Sequence, residues 1–347
     1  MKVAVVGSGS WGMTLAMHLL KKGHDVDVWF YLERDFKQAQ ETRELPDYLP
    51  GVSLPSELRF TMDMEACIRD KEIILVAIPS HTVGITLSKL SSSIASESII
   101  VNVAKGIEND SLRTMSQVIA HALPDHPVGN ISTLYGPTHA EEVVQEMPST
   151  IVAACTDESS GKIVQKAFMS DTLRVYTNVD ILGVEFGGSL KNVIAIAAGI
   201  LAGMGYGDNT LAALLTRGLF EMTRLGVFLG AKEQTFAGLS GMGDLIVTCL
   251  STHSRNRHVG YELGKGRKLK EILEEMKMVA EGINTARSVH QLIAKTGVEM
   301  PISEQIFQVL FEDKDPSLAV EEFLGAKEQT FAGLSGMGDL IVTCLST

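Results

Sequence analysis

Six residues near the N-terminus constrain this chain more than any others. Gly7-Ser8-Gly9-Ser10-Trp11-Gly12 lies between a short apolar run, Lys2–Val6, and a stretch of helical periodicity over residues 14–22. A chain that leaves a strand and enters a helix within six residues needs glycine where the backbone bends or packs closely. Here the first glycine makes the turn, Gly9 lets the backbone approach a diphosphate, and Gly12 permits close helix–strand contact. The diphosphate would sit on the amides of the helix N-terminus. Three glycines alone also suit an ordinary βα turn; the flanking strand and helix point to a dinucleotide site.

The rest of the first half repeats that alternation. Apolar runs over residues 2–6, 25–30, 73–78, 99–103, 132–135, 150–154 and 173–176 read as strands, with helical patterns such as 14–22 and 111–121 between them. Strands alternating with helices predict a doubly wound α/β domain. From about residue 181 to 310 the pattern is helical, rich in Ala, Leu, Met and charge. The expected organisation is therefore a Rossmann-like α/β domain over 1–179 and an all-α domain over 180–322. A ligand is expected in a cleft between the two. The longest apolar stretch, residues 193–206, is short for a membrane span and broken by Gly199, Gly203 and Gly205, so it predicts a core helix.

Charge narrows the function. Thirty basic residues face 42 acidic ones, a net of −12 over 347 residues. That balance argues against general binding of nucleic acid or an anionic membrane, which needs a basic surplus. It leaves room for a small cationic pocket. The four cysteines (Cys67, Cys155, Cys249, Cys344) are scattered, without metal spacing. They read as reduced thiols of a cytoplasmic protein, with no metal site. The N-terminal apolar run ends at the glycines, too short for a secretory signal.

The dinucleotide's identity turns on the end of the second strand. An acid there would bind the ribose 2′-hydroxyl and favour NAD. This strand ends Trp29-Phe30-Tyr31, with Glu33 and Arg34 following in the loop. Asp25 and Asp27 alternate with valines and read as its solvated face. A missing acid beside an arginine tips the expectation slightly towards NADP, with Glu33 still able to reach a ribose.

Several segments place polar groups where ligands bind. Lys105 follows a strand at the end where such sheets hold their ligands. Lys191 and Asn192 head the apolar run; from spacing alone, a lysine there could equally snorkel to solvent. Asp244, in Gly241-Met-Gly-Asp244-Leu-Ile-Val-Thr248, could be a helix N-cap. Thr138 and Glu141 have capping-box spacing after Gly136-Pro137. Ser254-Arg255-Asn256-Arg257 combines a plausible N-cap with two guanidinium groups, an arrangement suited to an anion.

In this order and spacing the residues resemble the bacterial NAD(P)-dependent glycerol-3-phosphate dehydrogenases. The resemblance rests on G-S-G-S-W-G, Y-L-P-G at residues 48–51, P-S at 79–80, K-G-I-E at 105–108 and G-P-T-H-A-E-E-V at 136–143. It continues through G-V-E-F-G-G-S-L-K-N-V-I-A-I-A-A-G at 183–199, G-D-N at 207–209 and T-R-G-L at 216–219. G-L-S-G-M-G-D-L-I-V-T-C at 238–249, S-R-N-R at 254–257 and V-A-E-G at 279–282 complete it. This chain departs from the family pattern at Thr138 and His139 (usually serine and phenylalanine). It also departs at Leu45 (commonly asparagine) and at Phe30 and Tyr31 (often glycine and arginine).

The resemblance implies reduction of dihydroxyacetone phosphate to sn-glycerol 3-phosphate with NAD(P)H, or the reverse, supplying phospholipid synthesis. It implies Lys191 as general acid/base, with Lys105 and Asp244 completing the catalytic set. Lys105, Gly136, Thr138, Lys191, Asn192, Asp244, Thr248, Ser254, Arg255 and Asn256 surround the substrate, Arg255 and Asn256 at its phosphate. Gly7, Gly9, Ser10, Trp11, Gly12, Tyr31, Lys105, Ala140, Arg255, Val279 and Glu281 fall at cofactor positions. A homodimer is the family's expected assembly. A lysine ordinarily titrates near 10.4. Burial and a second cation lower that value and a carboxylate raises it, which suits a group that must give and take a proton.

Two other readings compete. Dehydrogenases acting on 3-hydroxyacyl-CoA or 6-phosphogluconate share the two-domain plan and the lysine–asparagine pair, but not the G-M-G-D-L-I-V-T-C and S-R-N-R blocks together. A dinucleotide-binding inactive paralogue would keep the glycine loop and lose the lysine, aspartate or arginine; all are present. Finally, residues 323–347 repeat residues 228–252 letter for letter. The copy carries Asp339 and Thr343 but stops before any counterpart of Ser254–Arg257 and has no second Lys191, so it is expected to be an appended, non-catalytic tail.

Overall fold

The computed structural model describes residues 1–276 and 278–325. Two compact units emerge: Met1–Lys105 with Arg113–Val184, and Gly106–Leu112 with Glu185–Thr347, described as far as residue 325. The short excursion Gly106–Leu112 joins the second unit although periodicity gives no sign of it.

The first unit is an α/β sandwich. Its strands are β1 (Lys2–Val6), β2 (Asp25–Trp29), β3 (Arg59–Thr61), β4 (Ile73–Val76), β5 (Ile99–Asn102), β6 (Ile131–Tyr135), β7 (Ser149–Cys155) and β8 (Leu173–Asn178). They form one sheet in the order β3-β2-β1-β4-β5-β6-β7-β8. The first six run parallel, in the 3-2-1-4-5-6 order of a doubly wound nucleotide fold. Seven helices flank them: α1 (Ser10–Lys21), α2 (Glu33–Thr42), α3 (Met64–Ile68), α4 (Val83–Ser88), α5 (Met115–Ala122), α6 (Ala140–Val144) and α7 (Glu158–Phe168). Strand alternation divides the core. Val3 and Val5 pack with Met13, Leu15 and Leu19 of α1, whereas Ala4 and Val6 pack with Ile68, Val83 and Leu87 on the other face. Both faces of β4 and β5 are covered, which is why β4 and all but the last residue of β5 are apolar.

Four local expectations need correction. β3 joins the predicted strands as an eighth; its three residues, Arg-Phe-Thr, are too few to show alternation. β7 runs antiparallel to β6, so the sheet is mixed. The helix expected from residue 111 starts at Met115, because Thr114 with Gln117 supplies a capping box and Asp110 and Leu112 adopt left-handed backbone. Asp27 is not on a solvated face: it pairs with Arg59 at 2.5 Å and with Lys71.

No strand follows Asn178 among the described residues. The second unit is built from α8 (Ile181–Gly203, which begins in the first unit), α9 (Asp208–Phe228), α10 (Glu233–Phe236), α11 (Asp244–Leu250) and α12 (Arg255–Gly264). It closes with α13 (Leu269–Glu275), α14 (Glu281–Thr296), α15 (Pro301–Phe311) and α16 (Pro316–Gly325). α8 is apolar and long enough to cross a bilayer, but 89% of its most apolar window is buried within the protein. It starts about three turns before the apolar run that announced it and ends at Gly203, just before Gly205 takes φ 82°. A π-helical turn, Leu239–Gly243, joins α10 to α11. Of the duplicated tail, Phe323–Gly325 belong to α16 and residues 326–347 lie outside the described residues.

Candidate active site

The glycine loop forms as its context predicts. Gly9 is the N-cap of α1, whose first turn holds no acid. Gly7 has φ 120°, and a Cβ there would stand 2.5 Å from the Ala77 carbonyl at the end of β4. A Cβ on Gly12 would overlap the Gly7 carbonyl, while Gly9 faces open space. Two glycines thus let the loop pack and the third leaves a bare backbone surface at the positive end of a helix, a cradle that fits a dinucleotide's diphosphate. Ser10 and Trp11 begin α1. Gly7 donates its amide to the Trp29 carbonyl at 3.3 Å, so the tip of β2 lies beside the loop. Tyr31, just beyond, is 76% exposed.

At the carboxyl ends of β5 and β6 the same unit gathers Lys105, Gly136 and Thr138. The Lys105 ammonium lies 3.4 Å from the Gly136 carbonyl and 5.5 Å from the centre of the Tyr135 ring. Beneath it, Asn102 donates to the Tyr135 hydroxyl at 2.9 Å, and that hydroxyl donates to the Ala104 carbonyl. Asn102 and Tyr135 were not foreseen as site residues; an asparagine ending the run Ile-Ile-Val was the available signal. The capping box predicted at Thr138 and Glu141 does not form. α6 starts at Ala140 with His139 as N-cap, and Thr138 Oγ1 donates to the Gly136 carbonyl at 3.3 Å. Ala140 is buried.

The second unit holds a buried ion pair. The Lys191 ammonium on α8 lies 2.9 Å from Asp244 Oδ1 and donates to Thr248 Oγ1 at 2.5 Å, and Thr248 donates to Asp244 at 3.3 Å. Lys191 is 5% exposed and Asp244 1%. The lysine does not snorkel, and Asp244 is not an N-cap: it is the first residue of α11, after the cap Gly243. Asp244 and Thr248 lie one turn apart, so both face Lys191. The preceding π-helical turn reaches α8 at Gly187, where a Cβ would meet the Ser240 carbonyl at 2.8 Å. Burying two charges is costly unless they are paired and further hydrogen-bonded, and a stability role would be served as well by apolar residues. The same surroundings push the Cys249 thiol up to about 12 through burial, although Lys191 and Arg257 pull it down.

Nearby in sequence, Ser254 caps α12 as expected, its hydroxyl accepting from the Arg257 amide at 3.2 Å. Arg255 donates to the Val279 carbonyl at 3.1 Å, and Asn256 Oδ1 accepts from the Gly282 amide at 2.9 Å. These two side chains order the segment bearing Val279 and Glu281 at the start of α14. Asn192 is buried, its carbonyl in close contact with Gly282.

A bare glycine cradle on a 3-2-1-4-5-6 sheet, with a buried lysine–aspartate pair in a helical unit, defines a nicotinamide-dinucleotide dehydrogenase. Comparison with known proteins makes this specific. Residues 2–161 match the N-terminal model, and residues 180–321 the C-terminal model, of NAD-dependent glycerol-3-phosphate dehydrogenase. The chain belongs to that family. A glycerol-3-phosphate dehydrogenase [NAD(P)+] of Lysinibacillus sphaericus is 48% identical over 93% of this chain and 96% of its own length. The protein so described from Geobacter sulfurreducens has the same identity and coverage. The crystal structure of the Coxiella burnetii glycerol-3-phosphate dehydrogenase superposes with a TM-score of 0.89 at 36% identity, covering 93% of this chain and 98% of that one.

Proposed function

We propose that Lys191 carries the proton in the interconversion of dihydroxyacetone phosphate and sn-glycerol 3-phosphate, the reaction named by the chain's family. The supporting observation is the buried contact of Lys191 with Asp244 and Thr248. Bound NAD(P)H supplies the hydride. As C2 is reduced, negative charge grows on its oxygen, and an ammonium held in place neutralises it by giving up a proton. In the reverse direction the amine takes the proton back. Asp244 holds the ammonium and keeps its charge; Thr248 fixes its direction. Lys105 adds a second cation for substrate and cofactor, with Gly136 and Thr138 beside it. Arg255, Asn256 and the first-turn amides of α12, capped by Ser254, receive the phosphate. Asn192 contributes to the substrate site.

The cofactor positions proposed are Gly7, Gly9, Ser10, Trp11, Gly12, Tyr31, Lys105, Ala140, Arg255, Val279 and Glu281. We infer a slight preference for NADP over NAD, because no acid stands at the tip of β2 and Arg34 follows it. Residues 1–179 form the dinucleotide domain and 180–322 the substrate domain, with the repeated tail taking no part in chemistry. A cytoplasmic homodimer supplying phospholipid synthesis completes the proposal.

Steady-state kinetics test it. Lys191→Ala should lower kcat on the order of a thousandfold, the scale of positioned acid–base catalysis, with NADPH binding unchanged. Arg255→Ala should chiefly raise KM for dihydroxyacetone phosphate. Near-normal turnover in Lys191→Ala, with an intact cofactor site, would overturn the assignment.

A further inference from the structure

The ground around Arg34 decides how a dinucleotide's adenosine end is received. In a sheet of this order that end lies beyond the carboxyl tip of β2, where an acid accepts the ribose 2′-hydroxyl or an arginine meets a 2′-phosphate. The tip of β2 is fixed beside the glycine loop by the Gly7–Trp29 hydrogen bond. Past Tyr31 comes the first turn of α2, bearing Glu33 and Arg34. Glu33 is turned along its own helix to Lys37, 2.7 Å away.

Arg34 is exposed, yet its guanidinium is engaged from the side. Nε and Nη2 each lie 2.9 Å from Asp35 Oδ1, and Nη2 lies 3.5 Å from Asp47 Oδ2. Asp35 is itself immobilised: it is buried, and its other oxygen accepts from the Tyr48 hydroxyl at 2.8 Å. One cation is thus flanked by two carboxylates, and the cluster of Arg34, Asp35 and Asp47 is net anionic. A 2′-phosphate carries between one and two negative charges and meets this cluster as a like charge unless the arginine leaves its latch. A 2′-hydroxyl meets no such penalty.

We propose that the Asp35–Arg34–Asp47 latch sets the balance between NADP(H) and NAD(H), holding the preference for the phosphorylated cofactor slight. This rests on the dinucleotide reading of the glycine loop. Arg34 is the discriminating group; Asp47 and Tyr48 are positioning residues that act through it. Loosening the latch on its exposed side frees Arg34 for the 2′-phosphate and leaves NADH binding alone.

Dissociation constants of NADPH and NADH, measured by quenching of tryptophan fluorescence in the full-length protein without substrate, test the proposal. Kinetic KM and kcat values for the two cofactors run alongside. For Asp47→Asn the Kd of NADPH should fall about fivefold, the scale of removing one partly screened charge several ångströms away, with NADH changing less than twofold. For Arg34→Gln the NADPH Kd should rise about tenfold, the scale of a charge-assisted phosphate contact, and Arg34→Lys should restore part of the loss. In the double variant, Asp47→Asn should bring no gain, since it acts through the arginine. The changes should appear in KM and not in kcat, and should shrink as salt is raised. An unchanged NADPH-to-NADH ratio in both single variants, with the wild type binding both cofactors, would overturn the latch and leave the dinucleotide reading standing. A wild type that binds neither cofactor would remove both.

Discussion

Phe228 and Phe323 each begin the same string of twenty-five residues. Phe228 is 61% exposed at the end of α9, beside Phe220 and Val227 along an open groove. Phe323 is 1% exposed inside α16, and its carbonyl accepts a hydrogen bond from Arg217 of α9. The backbone differs too: α9 ends at Phe228, with Gly230 left-handed at φ 101°, whereas Leu324 and Gly325 are still part of α16. Identical letters therefore close one helix and extend another, because a glycine stops a helix only where the chain turns left-handed at it. Burial reverses, because it depends on what the preceding helix packs against. Contact is contextual in the same way. Asp244 and Thr248 meet Lys191, 53 and 57 residues earlier in the chain, and nothing in the sequence after residue 322 repeats that lysine.

The largest effect expected separates the two copies by activity. Asp244→Asn should lower kcat about a thousandfold, within the range for losing acid–base function, because a buried ammonium stripped of its carboxylate sheds its proton. Asp339→Asn, the matching change in the tail, should leave kcat within twofold of wild type. Steady-state turnover of the full-length variants measures both. An equal loss in Asp339→Asn would mean that the tail supplies a carboxylate to the reaction.

The helices leading into the two copies are also held differently. α16 is fastened near its end by Glu322, which accepts from Gln305 at 2.7 Å and pairs with Lys314 at 2.8 Å. α9 is fastened by Glu221, fully buried, which accepts from the Ile302 amide at 2.6 Å and from the Ser303 amide and hydroxyl at the N-terminus of α15. Burial pushes the Glu221 carboxyl up to about 7, although these donors and Arg217 pull it down. The folded value lies above the ordinary one. Below about pH 4.5 the group is protonated in both states; between there and 7 the unfolded chain ionises first, and stability falls as pH rises. The whole span is worth on the order of 3 kcal/mol. Glu221→Gln should remove that slope, so its Tm relative to wild type should climb between pH 5 and 8. A constant difference would show that Glu221 is ionised throughout.

These contrasts mark what could be read from the letters. The glycine loop was legible because strand, turn and helix adjoin in sequence, and the Ser254 cap because its partner amide is three residues away. The block from Gly183 to Arg257 was recognisable as family pattern, but the bond from Lys191 to Asp244 depends on a π-helical turn meeting α8, which no periodicity announces. Strand direction was equally hidden: Ser149–Cys155 has the same apolar run whichever way it pairs with β6. Asp27 looked solvated because alternation specifies a face, not what covers it. Arg59 and Lys71, far along the chain, close over it.

The smallest effect expected is on stability, and it tests whether that π-helical turn is needed only once. A Cβ on Gly241 would collide with the backbone of Phe236, so the turn between α10 and α11 can form only with glycine there. Gly241→Ala should cost about 1–3 kcal/mol, the usual penalty of overpacking, and lower activity by displacing Asp244. Gly336→Ala makes the same substitution in the tail. If residues 326–347 contribute nothing to the folded core, the Tm of Gly336→Ala should match wild type within experimental error. A drop in Tm as large as that of Gly241→Ala would mean that the copy folds and packs as the original does, and that two identical segments compete for the place beside Lys191.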